Sequence, residues 1–437
     1  MSGYSAAIDA PDKDLLQRCV HCGFCLPTCP TYAVLGVEMD SPRGRIKLMQ
    51  TVWDGRVDVA SDGFGLHIDQ CLDCRACETA CPSGVEYGKV VEAARAQLET
   101  ARRRGTLARI VRAIAFRFVL PRPAVLALFA RVSVIARRLG GTRVLRLVGA
   151  RRLADLLALV PTHASSAALP ASFPAVGDRR ARVALFSGCV MRAAFAETNA
   201  ATARVLARNG IEVLVPAEQT CCGALQAHAG ARETSRDLAR RNIASLEQLD
   251  VDAFIVNAAG CGAHLKGYGW LLKDDPAWRE RAERFSARIR DASEALVSFG
   301  LVARPGTLRA RAAYDDPCHL LHGQGIKEPP RDLLRAIPGL ELVPLEEADM
   351  CCGSAGTYNV TQPELSRALL ERKVGHVLAS GANMLVTANP GCQMQLESGM
   401  RAAGAHVTVL HLMDLLDRAY DGAQAAEWAE PSAKNRS

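Results

Sequence analysis

No apolar segment of this chain approaches the ~18 uncharged residues that a membrane-crossing helix needs, and the opening stretch MSGYSAAIDAPDKD lacks the apolar region of a secretory signal. The expectation is a cytoplasmic protein, or one held peripherally on the inner face of the cell membrane. No Gly-x-Gly-x-x-Gly follows a predicted strand, so neither a flavin nor a nicotinamide is expected on this chain. Lysine and acid are nearly missing from one stretch: between Ala101 and Val160 stand fourteen arginines, no lysine and a single acid, Asp155. That stretch carries +13 where the whole chain carries +7, leaving −6 for the remainder. With 49% apolar and 23% charged residues over 437 positions, disorder is excluded except at the tails, and two or three cored domains are within reach.

Cysteine, by contrast, is abundant. Sixteen cysteines in a reducing compartment argue for metal ligation over structural disulfides. CVHCGFCLPTCP sets Cys19, Cys22, Cys25 and Cys29 in C-x2-C-x2-C-x3-C-P spacing, and CLDCRACETACP repeats it with Cys71, Cys74, Cys77 and Cys81. This is the bacterial ferredoxin signature, in which closely spaced thiolates wrap a cubane and the fourth cysteine of each run serves the other cluster. One [4Fe–4S] cluster is therefore assigned to Cys19, Cys22, Cys25 and Cys81, and a second to Cys71, Cys74, Cys77 and Cys29. Zinc fits the doubled third and fourth cysteines poorly. SPRGRIKLMQ between the runs reads as helix, so an α-helical ferredoxin-like domain is preferred over a β-rich one.

The second half of the chain repeats itself. ARVALFSGCVMRA aligns with ARAAYDDPCHLLH, TCCGALQAH with MCCGSAGTY, and FIVNAAGCGAHL with MLVTANPGCQMQL. Cys189 to Cys221 spans 32 positions and Cys318 to Cys351 spans 33; Cys222 to Cys261 spans 39 and Cys352 to Cys392 spans 40. In each copy β-rich runs such as IEVLVP alternate with helical patterns such as TNAATARVLARNG, which predicts parallel α/β layers with the first and last cysteines at the carboxyl edge of the sheet. The domains expected are a two-cluster ferredoxin-type domain over 1–87, an Arg-rich helical connector and linker over 88–177, cysteine-rich domains over 178–303 and 304–420, and a polar tail over 421–437. The fold class is mixed: an α-helical ferredoxin-like domain, a helical basic connector and two repeated α/β domains with parallel sheets.

Adjacent cysteines in an extended strand point to opposite faces, so Cys351 and Cys352 reach one site only if the chain turns there, as Gly353 permits. Four sulfurs then converge from Cys318, Cys351, Cys352 and Cys392, and four more from Cys189, Cys221, Cys222 and Cys261. The readings left open for these quartets are a further iron–sulfur centre, redox-active thiols and a docking role.

The C…CCG…C repeats resemble the cysteine-rich domains of the heterodisulfide reductase B subunit family. Together with the ferredoxin pair, and with the stretches SPRGRIKLM, SGCV, AGCGAHLKGYGWLLKDDP and PCHLLHGQG, the layout resembles the iron–sulfur subunit family of glycolate oxidase. Related families are the iron–sulfur subunits of lactate-utilisation and anaerobic glycerol-3-phosphate dehydrogenase systems. The resemblance implies an electron-transfer subunit of a glycolate dehydrogenase complex, with no catalytic residue of its own. Flavin-bearing partner subunits would oxidise glycolate to glyoxylate, and this chain would pass electrons toward a quinone or another acceptor. A lactate or glycerol-3-phosphate system, or thiol/disulfide chemistry by the CCG domains, are the alternatives. One departure bears on the last: in the heterodisulfide reductase pattern the final landmark is C-x2-C, whereas here His264 and Gln395 stand at the partner positions. His228, His319 and His322 near the landmarks read as surface or capping histidines. The arginine-rich connector, with Arg109, Arg112 and Arg117 among apolar residues, suits an anionic membrane surface or a partner subunit; with few aromatics and no nucleic-acid motif, nucleic acid is not expected.

Overall fold

The computed structural model describes residues 3–5, 9–102, 104–161 and 164–422, so nearly all of the expected polar tail, 423–437, lies outside the described residues. The first region is helical. Ser41 accepts a hydrogen bond from the Gly44 N–H (3.0 Å), and Pro42 at the first position pre-sets φ, so SPRGRIKLMQ begins the helix Pro42–Trp53. Its buried Ile46, Met49 and Val52 meet Val90, Val91, Ala94 and Leu98 of the helix Tyr87–Ala101 in one core. The boundary expected at 87/88 is thereby corrected: Tyr87–Ala101 is buried along one face and completes the N-terminal core.

The connector follows as helices Thr106–Ala113, Pro123–Arg138, Gly141–Leu147 and Arg151–Leu159, with a π-helical turn over Ile114–Val119. Pro123 opens its helix at the first turn, and the chain bends by 111° between Thr106–Val119 and Pro123–Arg138. Among the described residues no single helix is long and apolar enough to cross a membrane.

The repeat folds into two α/β units. The first sheet runs β1 (Ser172–Phe173), β3 (Ile211–Leu214), β2 (Ala181–Leu185), β4 (Ala253–Val256) and β5 (Ile289–Asp291). The second runs β7 (Leu340–Val343), β6 (Ala310–Tyr314), β8 (Met384–Thr387) and β9 (Thr408–His411). All pairings are parallel except β1 with β3, so the stretch expected as linker contributes an antiparallel edge strand. β4 and β8 are buried along their whole length, as strands covered on both faces must be. Between β2 and β3 the helix Ala196–Arg208 ends at Asn209 and Gly210, whose φ of 75° reverses the chain into β3.

The two units are fused through one core: Val183, Leu185 and Ile255 of the first belong to the same buried cluster as Tyr314, Val386 and Leu412 of the second. Across this seam Arg204 Nε donates to Asp417 (2.9 Å) and Thr198 Oγ1 to Asp414 (2.9 Å). In both sheets the strand order reverses direction next to the first strand, between β2 and β4 and between β6 and β8. Open α/β folds bind ligands at the carboxyl end of such a switch point.

Candidate redox site

Every candidate cysteine emerges from a loop or helix start, and the two ferredoxin runs adopt one loop conformation. His21 and Asp73, each directly before the second cysteine of its run, have φ of 54° and 55°; Gly23 and Arg75, each directly after it, have 88° and 63°. Left-handed turns at matching places curl each loop so that three sulfurs face inward. Glycine takes this conformation freely in the first run; in the second, Arg75 is held there by its guanidinium, 3.5 Å from Glu92 and 3.9 Å from Asp73.

The structure brings Cys19, Cys22, Cys25 and Cys81 around one pocket, and Cys29, Cys71 and Cys74 around a neighbouring one, with Cys77 lining both. The fourth cysteine of each run thus lies with the first three of the other. Eight thiols in two such groups suit two four-thiolate clusters. The groups differ in burial: Cys22 is exposed, while Cys29, Cys71, Cys74 and Cys77 are buried.

The repeat cysteines gather at the two switch points. Cys189 and Cys261 follow β2 and β4, Cys318 and Cys392 follow β6 and β8, and the CCG pairs follow β3 and β7. Within each quartet the CCG pair bridges first and last landmarks: Cys221 faces Cys189 while Cys222 Sγ lies 3.2 Å from Cys261 Sγ, and Cys351 lies 4.0 Å from Cys318 while Cys352 faces Cys392. Gly223 (φ 91°) and Gly353 (φ 87°) make the turn that allows this. Cys352 is held well below the ordinary thiol range, first by hydrogen bonding from Cys351 and Cys392, with Lys373 adding its charge.

The quartets share one chamber. A cavity of about 310 Å³ is lined by seven of the eight repeat cysteines, all but Cys352, together with Leu72 of the ferredoxin region and Leu159 of the connector. Cys74 and Leu72 pack with Cys351 and Tyr358, and Cys318 packs against them. The buried ferredoxin set therefore abuts the second quartet.

The family model described as "4Fe-4S dicluster domain" matches residues 15–85, and that described as "Cysteine-rich domain" matches 183–266 and 312–397. The "Probable glycolate oxidase iron-sulfur subunit" of Bacillus subtilis (strain 168) is 42% identical over 419 residues, covering 93% of this chain and 94% of that one. The "Glycolate oxidase iron-sulfur subunit" of Escherichia coli (strain K12) is 36% identical over 411 residues, covering 93% and 95%. The chain belongs to the glycolate oxidase iron–sulfur subunit family. "Lactate utilization protein A" of Exiguobacterium sp. (strain ATCC BAA-1283 / AT1b) is 33% identical over 54% of this chain and 96% of its own length.

For this family member the histidines hold domains together instead of capping the surface. His228 Nδ1 lies 2.9 Å from Asp73 and 3.1 Å from Glu92. Burial alone pulls His228 down, but the two flanking carboxylates outweigh it and hold its pKa at about 9. With Arg75 this makes two cations against two carboxylates, a balanced network between the ferredoxin region and the first cysteine-rich unit. Asp73, Glu92 and His228 are close enough to ligate a cation, but Arg75 already supplies the compensating charge. His319 Nε2 donates to the Asp73 carbonyl (2.8 Å), His322 pairs with Thr79 Oγ1 (2.9 Å), and Tyr358 of CCGSAGTYN donates to the Gln70 carbonyl (2.8 Å). These contacts span more than 240 positions of sequence, so no local pattern announces them.

The positions that might have supplied fifth ligands are engaged elsewhere. His264, which burial pushes down to about 3, pairs through Nε2 with Ser235 Oγ (2.9 Å); Gln395 Nε2 donates to Ser366 Oγ (3.0 Å). Each quartet offers four thiols in two facing pairs, and neither gains a fifth ligand from His264 or Gln395.

Arg45 of SPRGRIKLM, only 1% exposed, braces the buried ferredoxin set. Its guanidinium donates to the His67 carbonyl (2.6 Å) and Thr31 Oγ1 (3.0 Å), pairs with Asp40 (3.2 Å) and reaches Cys29 Sγ (4.0 Å). Replacing it with methionine leaves the buried Asp40 with only the His67 ring (2.9 Å) beside it in place of a guanidinium, a loss of up to about 3–5 kcal/mol. Thermal unfolding of the anaerobic Arg45→Met protein is expected to show that loss, with iron released at a lower temperature than from the parent.

Proposed function

We propose that the chain is the electron-transfer subunit of a glycolate-oxidising complex, receiving electrons from flavin-bearing partner subunits that convert glycolate to glyoxylate and handing them toward a quinone or another acceptor. The observation that carries this reading is the order of the cysteine sets: one reaches the surface at Cys22, the next is buried, and that one abuts the chamber of the repeat quartets. Oxidation of glycolate releases two electrons and two protons, which a flavin accepts as a hydride equivalent and a proton on the partner. When bound, a [4Fe–4S] cluster takes and returns one electron at a time, which is the chemistry needed between a flavin and a distant acceptor.

This chain's own residues do the holding and shielding. Cys19, Cys22, Cys25 and Cys81 hold the cluster nearer the surface, and Cys71, Cys74, Cys77 and Cys29 the inner one. Val20 and Phe24, 68% and 64% exposed beside Cys22, give the flavoprotein an apolar surface to cover. Tyr87, buried between the sets, and Arg45 keep water from them. Each repeat quartet supplies four thiols and no fifth, and a further iron–sulfur centre in the chamber is part of the reading. The protein works in the cytoplasm, at the inner face of the membrane.

Two measurements test this. Co-expression with the partner subunits and anaerobic purification should give a complex that reduces an acceptor with glycolate in preference to D- or L-lactate; a preference for either lactate overturns the substrate. Iron and acid-labile sulfide should exceed the eight irons that two [4Fe–4S] clusters hold. A count of eight leaves the chamber with a thiol or docking role only.

A further inference from the structure

The connector has two faces with different chemistry, and among the described residues nothing covers the outer one. Leu107, Phe118, Leu128, Phe129, Leu139 and Leu147 are each at least half exposed, Leu139 and Leu147 to 80% and 87%. Lone exposed apolar residues are ordinary, but a run of them along three successive helices and the turn between the first two is not. Interleaved with them, Arg109, Arg117, Arg143, Arg151 and Arg152 are exposed and have no carboxylate within salt-bridge distance among the described residues. The one acid of the stretch, Asp155, is taken by Arg146 and Arg367.

Two considerations choose between a lipid surface and a protein partner for this face. Protein interfaces of the separable kind are about as apolar as the rest of the surface. Here Thr106–Val119 and Pro123–Arg138 together reach the length and hydropathy of a bilayer span, yet their 111° bend prevents a straight crossing. Segments with the apolar content of a span and the geometry of a bent hairpin, rimmed by arginines, suit the boundary between headgroups and acyl chains. The charge is complementary to anionic headgroups, and guanidinium matches phosphate bidentately.

The inner face of the same helices seals the cysteine chamber. Leu126 packs on Cys189, Cys221 and Leu238; the Phe116 carbonyl accepts from Gln226 (3.1 Å), whose own amide oxygen faces Cys221 Sγ (3.8 Å); and Leu159 lines the cavity. One layer of helix, roughly 10 Å thick, separates the first quartet from whatever covers the outer face.

We propose that residues 106–160 form a monotopic wedge seated in one leaflet of an anionic bilayer, placing the chamber of the repeat cysteines one helix layer from the lipid so that electrons leave toward an acceptor dissolved in it. The exit direction rests on the electron-transfer reading above; the lipid attachment does not.

The test is flotation of the purified holo-chain, without partner subunits, on phosphatidylcholine vesicles with and without phosphatidylglycerol. The chain is expected to float with the anionic vesicles and about tenfold less with the neutral ones. High salt should weaken the attachment without abolishing it, because the apolar residues remain inserted. Leu128→Ser/Phe129→Ser is expected to lower binding about tenfold or more at unchanged iron content, and Arg143→Gln/Arg151→Gln/Arg152→Gln to remove the preference for anionic lipid. A holo-chain that stays unbound with both vesicle types overturns the wedge. So does loss of flavoprotein co-purification in Leu128→Ser/Phe129→Ser, which makes the face a protein interface. Failure of the electron-transfer reading would appear separately, as absent glycolate-dependent reduction of a soluble acceptor by the detergent-free complex.

Discussion

Replacing Cys74 with alanine is expected to abolish glycolate-dependent acceptor reduction by the assembled complex and to remove one cluster's iron from the chain. Cys74 is buried in the second ferredoxin run and packs with Cys351 at the edge of the chamber. It lies where the inner set meets the repeat quartets, so no other cysteine of that run can substitute for it. Cys22→Ala at the exposed set is expected to remove iron as well, and to block entry instead of onward passage. The two variants separate by electron paramagnetic resonance of the complex under glycolate: the outer cluster is reduced in Cys74→Ala and not in Cys22→Ala. If turnover survives in folded Cys74→Ala protein that has lost that cluster's iron, the clusters only hold the fold.

Gly353→Ala should be among the most damaging substitutions that remove no cysteine. Its φ is 87°, and an added Cβ would sit 2.6 Å from the Ser366 carbonyl oxygen, a backbone atom that cannot swing aside. A left-handed conformation in a non-glycine residue costs about 1–3 kcal/mol, and overpacking about as much again. At roughly 2–4 °C per kcal/mol for a unit of this size, thermal unfolding should start about 10 °C lower. Ser366 also accepts from Gln395 and donates to the Gly353 carbonyl, so the strain reaches the Cys352 and Cys392 side of the quartet. Gly375→Ala is the control: it lies within the helix Pro363–Ala379 with nothing within 4 Å of the added carbon. There alanine should stabilise by about 1 kcal/mol. Equal effects at the two glycines would mean that the CCG turn is not conformationally constrained.

Much of the site was legible because its determinants are local. C-x2-C-x2-C-x3-C spacing dictates a wrapping loop, and the repeated landmarks dictate equivalent strand ends; the cysteines stand accordingly at the two switch points. The alternation of β-rich and helical runs likewise carried the parallel sheets. What was not legible depends on contacts distant in sequence. Tyr87–Ala101 reads as the start of a connector by composition, yet Val90, Val91 and Leu98 are needed to close the N-terminal core. His228 and His319 give no sign in sequence that they meet Asp73 in the seam between regions, nor His264 that it pairs with Ser235, since a buried histidine and a capping one look alike. The joining of two quartets into one chamber depends on the shared core of the repeats, through pairs such as Val183 and Tyr314 that any apolar residue could form.

The direction of electron flow, from the ferredoxin sets into the chamber, is tested most directly by Cys318→Ser in the assembled complex, with the state of the N-terminal clusters and acceptor turnover measured together under glycolate. Cys318 meets the inner ferredoxin set through its packing with Cys74 and Cys351, and it is not assigned to either N-terminal cluster. The expected result is that the N-terminal clusters become reduced and stay reduced while turnover stops. Turnover at the parent rate in Cys318→Ser would contradict the account, because electrons would then be leaving the ferredoxin region without passing the repeat cysteines.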